Sequence, residues 1–291
     1  MTRSDTQFER IAYPVGFGLL VLLVWEIVVR LFDISPALLP APTMIGAAIA
    51  GSLPILWGDL VQTVIKGALN GLWMGSFAGI ALALVIDRFE FLKRGLMPVA
   101  NFFAALPIVG LAPIMVMWFG FDWHSKAAVV AIMVFFPMLV NTLGGLSATD
   151  NMQRDLMRTY AAGHVTTLFK LRIPAALPFV FNGLKIATTL ALIGAIVAEY
   201  FGSPIRGMGF RITTEMGRLA TDMVWAEITI SALTGTALYG LVALIEKRVT
   251  FWQPSHEENL GRSTTWRLYY EKSTDERNSA GSDGNGCICG R

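Results

Sequence analysis

Apolar runs of roughly 20 residues recur along this chain, and each is long enough to cross a hydrocarbon core of ~30 Å. Lipid offers no partners to backbone N–H and C=O groups, so such runs must satisfy them internally and are predicted to be helices. The expected fold class is therefore all-α, a polytopic membrane protein. Composition agrees: 54% of residues are hydrophobic and 15% charged, with mean hydropathy +0.55. A soluble domain carries about a quarter charged residues. The net charge of +2 gives no argument for a nucleic-acid partner. The first run, Ile11 to Phe32, exceeds a signal-peptide core and reads as an uncleaved span.

Six spans are predicted, at about 11–31, 60–86, 97–118, 126–146, 178–200 and 224–246. The distribution of Lys and Arg puts both termini in the cytoplasm. On that assignment the cytoplasmic loops hold Arg88, Lys93 and Arg94, then Arg154 through Arg172, then Lys247 and Arg248. The outer stretches 32–58 and 119–125 hold no Lys or Arg, while Arg206, Arg211 and Arg218 are exceptions after the fifth span. A short helix is expected at about 43–50, after the turn LLPAPT. Residues 1–10 form a cytoplasmic arm, 11–252 the membrane domain, and 253–291 a polar tail too poor in apolar residues to fold.

Two spans carry special residues. Gly67, Gly71, Gly75 and Gly79 recur every four residues along the second span, one stripe on which another helix can approach closely, within the subunit or across a dimer. Pro98, Pro107 and Pro113 interrupt the third, predicting a kinked helix beside a pathway or buried in a bundle. Among charges near the membrane interior are Glu26, Lys66, Lys185 and Glu199, for which snorkelling is the simplest account of Lys185.

Several chemistries find no support. No G-x-x-x-x-G-K-[ST] phosphate loop is present. His124, His164 and His256 are scattered, Cys287 and Cys289 lie alone near the C-terminus, and no metal site or cofactor of this chain is expected. No nucleophile with a matched base is visible.

Between the fourth and fifth spans lies DLMRTYAAGHVTTLFKLRIPAALP (155–178), a basic segment with helical content that stops at two prolines four residues apart. Ordered, basic and at a membrane surface, it reads as a docking element. It also resembles the cytoplasmic loop E-A-A-x-x-x-G-x9-I-x-L-P of the membrane subunits of binding-protein-dependent ABC importers. Aligned on Pro174, Asp155, Leu156 and Met157 stand at the E-A-A positions and Ala161 at the glycine, followed by Ala162 and Gly163. Leu171, Ile173 and Pro174 complete the pattern. Asp for Glu, larger residues for the alanines and Ala for Gly are departures. PAALPFVFNGLKIA, LLPAPT, WFG (118–120), FFPMLVNTLGG (135–145), AIVAEYFG (195–202) and GMGF (207–210) resemble the nitrate/sulfonate/taurine permeases. LKIATTLALIGAIVAEYFGS looks most like the branch linked to pyrimidine or riboflavin precursors.

The resemblance implies a type I ABC importer permease fold and a non-catalytic subunit of the bacterial inner membrane. It implies two ATPase subunits that carry ATP and Mg, a second permease copy (a homodimer), a periplasmic substrate-binding protein and surrounding lipid. The loop would be the coupling element, and Asn101, Phe103, Asn141, Thr188 and Glu199 candidates to line the solute path. A secondary transporter is the alternative, but it calls for repeated halves with broken helices, and no repeat is found.

Overall fold

The computed structural model describes residues 7–89, 91–92, 95, 107–202 and 205–251. Among these there is no strand. α1 (Gln7–Leu31) is followed by the short α2 (Pro42–Gly51), which matches the helix expected there. α3 (Leu53–Leu60), a π-helical stretch (Val61–Leu69) and α4 (Asn70–Arg88) run on as one 36-residue helix. α5 (Ile108–Phe119) and α6 (Trp123–Ser147) come next, then α7 (Asn151–Thr159) in the basic segment. α8 (His164–Thr167), a second π-helical stretch (Leu168–Arg172) and α9 (Ile173–Gly202) form a 39-residue helix. α10 (Met208–Gly217) and α11 (Thr221–Val249) complete the described chain. Chain contacts define one unit over Met1–Glu246 and a second from Lys247, of which the last turn of α11 and residues 250–251 are described.

Among the described residues, five helices are long and apolar enough to cross a membrane. The predicted third span lies partly outside the described residues. What is described of it, α5, has 12 residues and starts after Pro107, whose backbone is extended, rather than passing through it. The tail at 253–291, Asn101 and Phe103 also lie outside the described residues.

The core packs the second span (Ala68 of its π-helical stretch and Leu72 of α4), α6 (Val130, Val134, Met138) and α9 (Ala187, Ala191, Ala195) against one another. Small residues set the spacing. A Cβ on Gly71 would come within 2.5 Å of Val130 Cβ, on Gly75 within 2.4 Å of Ala131 O, and on Gly79 within 2.7 Å of Phe135 O. The glycine stripe thus packs against α6 of the same chain, where backbone meets backbone and nothing can yield. Gly75→Ala is expected to destabilise the bundle by about 1–3 kcal/mol or more, read as a lower unfolding temperature in detergent. An unchanged temperature would mean that α4 and α6 are not this close.

The π-helical stretch in the second span frees carbonyls from their usual i→i+4 partners. Asn70 Nδ2 takes up two of them, donating to Ile65 O at 3.2 Å and Lys66 O at 2.9 Å. The second π-helical stretch explains a departure from expectation. The prolines at 174 and 178 do not stop the helix. Pro174 lies inside the continuous helix, directly after the π-helical stretch, whose shifted backbone bonding accommodates a residue without an N–H, and the helix runs on to Gly202. Lys185 Nζ lies 2.9 Å from Glu246 Oε2, an ion pair between α9 and the end of α11.

Candidate functional site

Two polar stations sit at opposite ends of the bundle. Asp59 and Asp87 lie on one continuous helix, 28 residues apart, or about 42 Å at ~1.5 Å per residue. Arg172 and Glu199 are similarly placed on another. A bilayer with its headgroup layers is ~40–45 Å thick, so both stations fall at interfacial depth, on opposite sides.

The first station anchors the basic segment. Arg172 donates Nη1 to Asp87 Oδ2 and Nη2 to Asp87 Oδ1, both at 2.6 Å. Its Nε and Nη2 also reach Leu146 O at 3.1 and 2.8 Å. The side chains are 14% and 5% exposed, so this is a two-pronged, largely desolvated pair. It ties the start of α9 to the ends of α4 and α6, and places the guanidinium at the negative end of the α6 dipole. Positive-inside charge alone does not account for Arg172.

α7 projects from this anchor. Gln153 Oε1 accepts from Asp150 N–H at 3.3 Å, the reciprocal arm of a capping box at its start. At its end the Ala161 N–H donates to Arg158 O at 2.9 Å and the Ala162 N–H to Met157 O at 3.0 Å. These are the two bonds of a Schellman motif, which calls for left-handed backbone at the first of the two donors, and Ala161 has φ +50°. The glycine of the resembling motif is thus a helix-stop residue, and here alanine bears the strain. Ala161→Gly removes a penalty of roughly 1–2 kcal/mol, offset by about 0.5–1 kcal/mol of unfolded-chain entropy. Slower hydrogen exchange of the 160–162 amides is the expected readout; faster exchange would contradict it.

Met152, Leu156 and Tyr160 recur every fourth residue on α7 and are 79%, 56% and 76% exposed, an apolar stripe without cover in the single chain. Asp155 is exposed and pairs with Arg158 at 3.1 Å; Met157 and Ala162 are half-buried, and Gly163 precedes α8. Leu171, Ile173 and Pro174 are half-buried at the helix base.

The second station is a buried network. The first backbone N–H groups of α10 aim at side chains from distant elements. Gly207 N–H donates to Asp59 Oδ1 at 2.8 Å, Met208 N–H to Thr63 Oγ1 at 2.8 Å, and Gly209 N–H to Glu199 Oε2 at 2.9 Å. Two carboxylates thus cap the positive end of the helix dipole. Thr63 Oγ1 donates to Glu199, 2.9 Å from either oxygen, and Arg211 Nε to Asp59 Oδ2 at 2.8 Å. The approach needs glycine. Gly207 has φ +135°, and a Cβ there would meet the Glu199 carboxylate at 2.5 Å; at Gly209 it would meet Ile196 O at 2.2 Å. This is the physical content of GMGF.

Lys126, also buried, donates to the carbonyls of Phe121, Asp122 and Gly202, the last at the end of α9, and its charge is attracted by Glu199. Glu227 of α11 is fully buried beside Asp59 and Arg211, and neither carboxylate oxygen accepts a hydrogen bond among the described residues. Among the described residues no three His, Cys, Asp or Glu are grouped to hold a metal ion. The network borders a recess of about 440 Å³ walled by Phe121, Tyr200, Phe201 and Phe210, with Thr213, Thr214 and Glu199 on its surface.

Of the expected path residues, Glu199 is buried in this network. Thr188 is buried too, its hydroxyl donating to Leu184 O at 2.7 Å, while neighbouring Thr189 is exposed. Asn141 is half-buried, donates to Pro137 O at 2.8 Å and accepts from exposed Asn182 at 3.4 Å. Sequence reasoning missed Asp59, Thr63, Lys126, Glu227 and the Asp87–Arg172 pair. A signal existed: Asp59, Lys126, Glu199 and Glu227 all fall at span ends that the alternating topology puts on one side. Two of the three exceptional arginines there have acidic partners, Arg211 with Asp59 and Arg218 with Glu215.

Comparison with known proteins agrees with this architecture. Residues 71–251 match the family described as binding-protein-dependent transport system inner membrane component. The formylaminopyrimidine transport permease protein ThiX of Halalkalibacterium halodurans is 31% identical over 253 residues, covering 87% of this chain and 99% of that protein. The riboflavin transport system permease protein RibX of Chloroflexus aurantiacus is 28% identical over 256 residues, covering 87% and 95%. The putative aliphatic sulfonates transport permease protein SsuC of Bacillus subtilis is 28% identical over 240 residues, covering 81% and 86%. This chain belongs to the family of binding-protein-dependent transport system inner membrane components.

Proposed function

We propose that this permease imports a small heteroaromatic solute and is driven by a separate ATPase that grips α7. The observation that carries the coupling role is the combination at α7. Its stripe of Met152, Leu156 and Tyr160 is uncovered, while its base is locked to the ends of two membrane helices through Arg172. A docking surface on a stiff mount transmits displacement; a flexible loop would absorb it. Two ATPase subunits, holding ATP and Mg, would engage two permease copies, and a periplasmic binding protein would deliver solute. The basic segment and both termini then face the cytoplasm, and the recess at Phe210 faces outward.

Two copies are favoured because the centre of one chain is filled. Ala68, Val130, Val134, Ala187 and Ala195 leave at most 1% of their surface exposed, so a path has to run along an outer face. The Asn141–Asn182 pair marks such a face, since polar groups at this depth are expensive against lipid. The solute class is supported by the aromatic lining of the recess, side chains of a kind that can stack on a planar ring, and by relatives named for formylaminopyrimidine and riboflavin transport.

Coupling is tested by co-purifying the chain with its ATPase in detergent, wild type against Leu156→Glu. Burying a glutamate in an apolar contact is expected to weaken association by at least tenfold. Equal recovery of ATPase with the variant sinks the assignment of α7. The solute is tested separately, by the ATPase activity of the reconstituted complex with binding protein and a pyrimidine or flavin. No stimulation by either removes the heteroaromatic reading.

A further inference from the structure

Between α7 and α8 lies a recess of about 280 Å³ lined by Arg154, Arg158, Ala162, His164, Thr167 and Arg172. Three of these side chains are guanidinium groups, a fourth is an imidazole, and none is a carboxylate. The neighbours neutralise them incompletely. Arg172 is matched by Asp87, and Arg158 shares one nitrogen with Asp155 while most of its side chain stays exposed. Arg154 gives its Nε to Thr149 Oγ1 at 2.8 Å and its Nη2 to Ser147 O at 3.4 Å, both neutral oxygens. The recess therefore keeps a net positive charge, with planar donor forks of the geometry that phosphoryl oxygens accept.

Size and position narrow the ligand. At about 280 Å³ the recess is smaller than the ~300–1,000 Å³ typical of sites for drug-sized molecules, enough for a phosphoryl group on a short polyol. It stands at interfacial depth, beside the Arg172 anchor. On the adjoining turns Val165 and Phe169, four residues apart, are both exposed, with Lys170 next to them. An apolar pair beside a cationic recess at the bilayer surface suits acyl chains against the one and a headgroup in the other.

We infer that the recess between α7 and α8 binds a phosphoryl anion, supplied by an anionic phospholipid of the surrounding bilayer. This goes beyond the coupling role and uses different residues from the Met152, Leu156 and Tyr160 stripe. A bound headgroup would set the angle at which α7 leaves the membrane surface.

The test is native mass spectrometry of the full-length chain in detergent, titrated with phosphatidylglycerol or phosphatidylcholine. Wild type is compared with an Arg158→Gln/His164→Gln variant, both sites exposed, and with Arg154→Gln. Phosphatidylglycerol binding is expected to weaken by about tenfold per guanidinium removed, with phosphatidylcholine unaffected. Inorganic phosphate separates the sources. If millimolar phosphate displaces the lipid, and raises the unfolding temperature of wild type but not of the variants, the anion is soluble and the lipid source is wrong. Phosphatidylglycerol binding equal in all three proteins overturns the inference. Loss of ATPase association in the variants, with lipid binding unchanged, does so too and assigns the recess to the ATPase.

Discussion

Arg172→Leu is expected to lower the stability of the detergent-purified chain by about 3–5 kcal/mol, since it leaves the buried Asp87 carboxylate without its counter-charge. It also strips Leu146 O of two donors at the end of α6. Arg172→Lys should recover only part of the loss, because an ammonium cannot hold both carboxylate oxygens and the carbonyl at once. An Arg172→Leu/Asp87→Leu double variant should be less damaged than either single variant, since no buried charge is left unpaired. Thermal unfolding of wild type and the four variants, Asp87→Leu included, reads the result. Losses below about 1 kcal/mol, adding independently, would show that the pair behaves as a surface salt bridge. Coupling gives a second readout: with the mount loosened, ATP hydrolysis by the complex should persist while solute transport falls.

At the other station, Glu199→Leu should cost about 3–5 kcal/mol. It leaves the Thr63 hydroxyl and the Gly209 N–H as buried donors without acceptors, at roughly 1–3 kcal/mol each. It also removes the charge facing Lys126. Glu199→Gln keeps one oxygen and should fall between the two. Hydrogen exchange localises the effect: the amides of Gly207, Met208 and Gly209, now protected by Asp59, Thr63 and Glu199, should exchange faster at 209 first. Unchanged protection at 209 would mean that Glu199 does not cap α10.

Much of the architecture was legible in the sequence, because lipid leaves few options. A run of about 20 apolar residues with no water to satisfy its backbone has to be a helix, whatever its neighbours do. Helix α2 was legible from Pro42 and Thr43 at its start, and the glycine spacing in the second span from helix periodicity alone. Local signals misled at the prolines. Pro174 and Pro178 looked like a stop, but the π-helical stretch before them lets the helix continue. Lys185 has a partner, Glu246, that nothing nearby in the sequence announces.

The division follows from the range of the forces involved. Helix existence depends on backbone bonds that reach about four residues, so composition and spacing determined it. The two polar stations depend on polar and charged groups brought together from far apart: Asp59 with Arg211, Thr63 with Glu199, Asp87 with Arg172. Each of these side chains, read alone, is an expensive group near the end of an apolar run. The folded bundle turns them into anchors, because a buried charge is tolerable only when a partner from another helix stands within hydrogen-bonding distance.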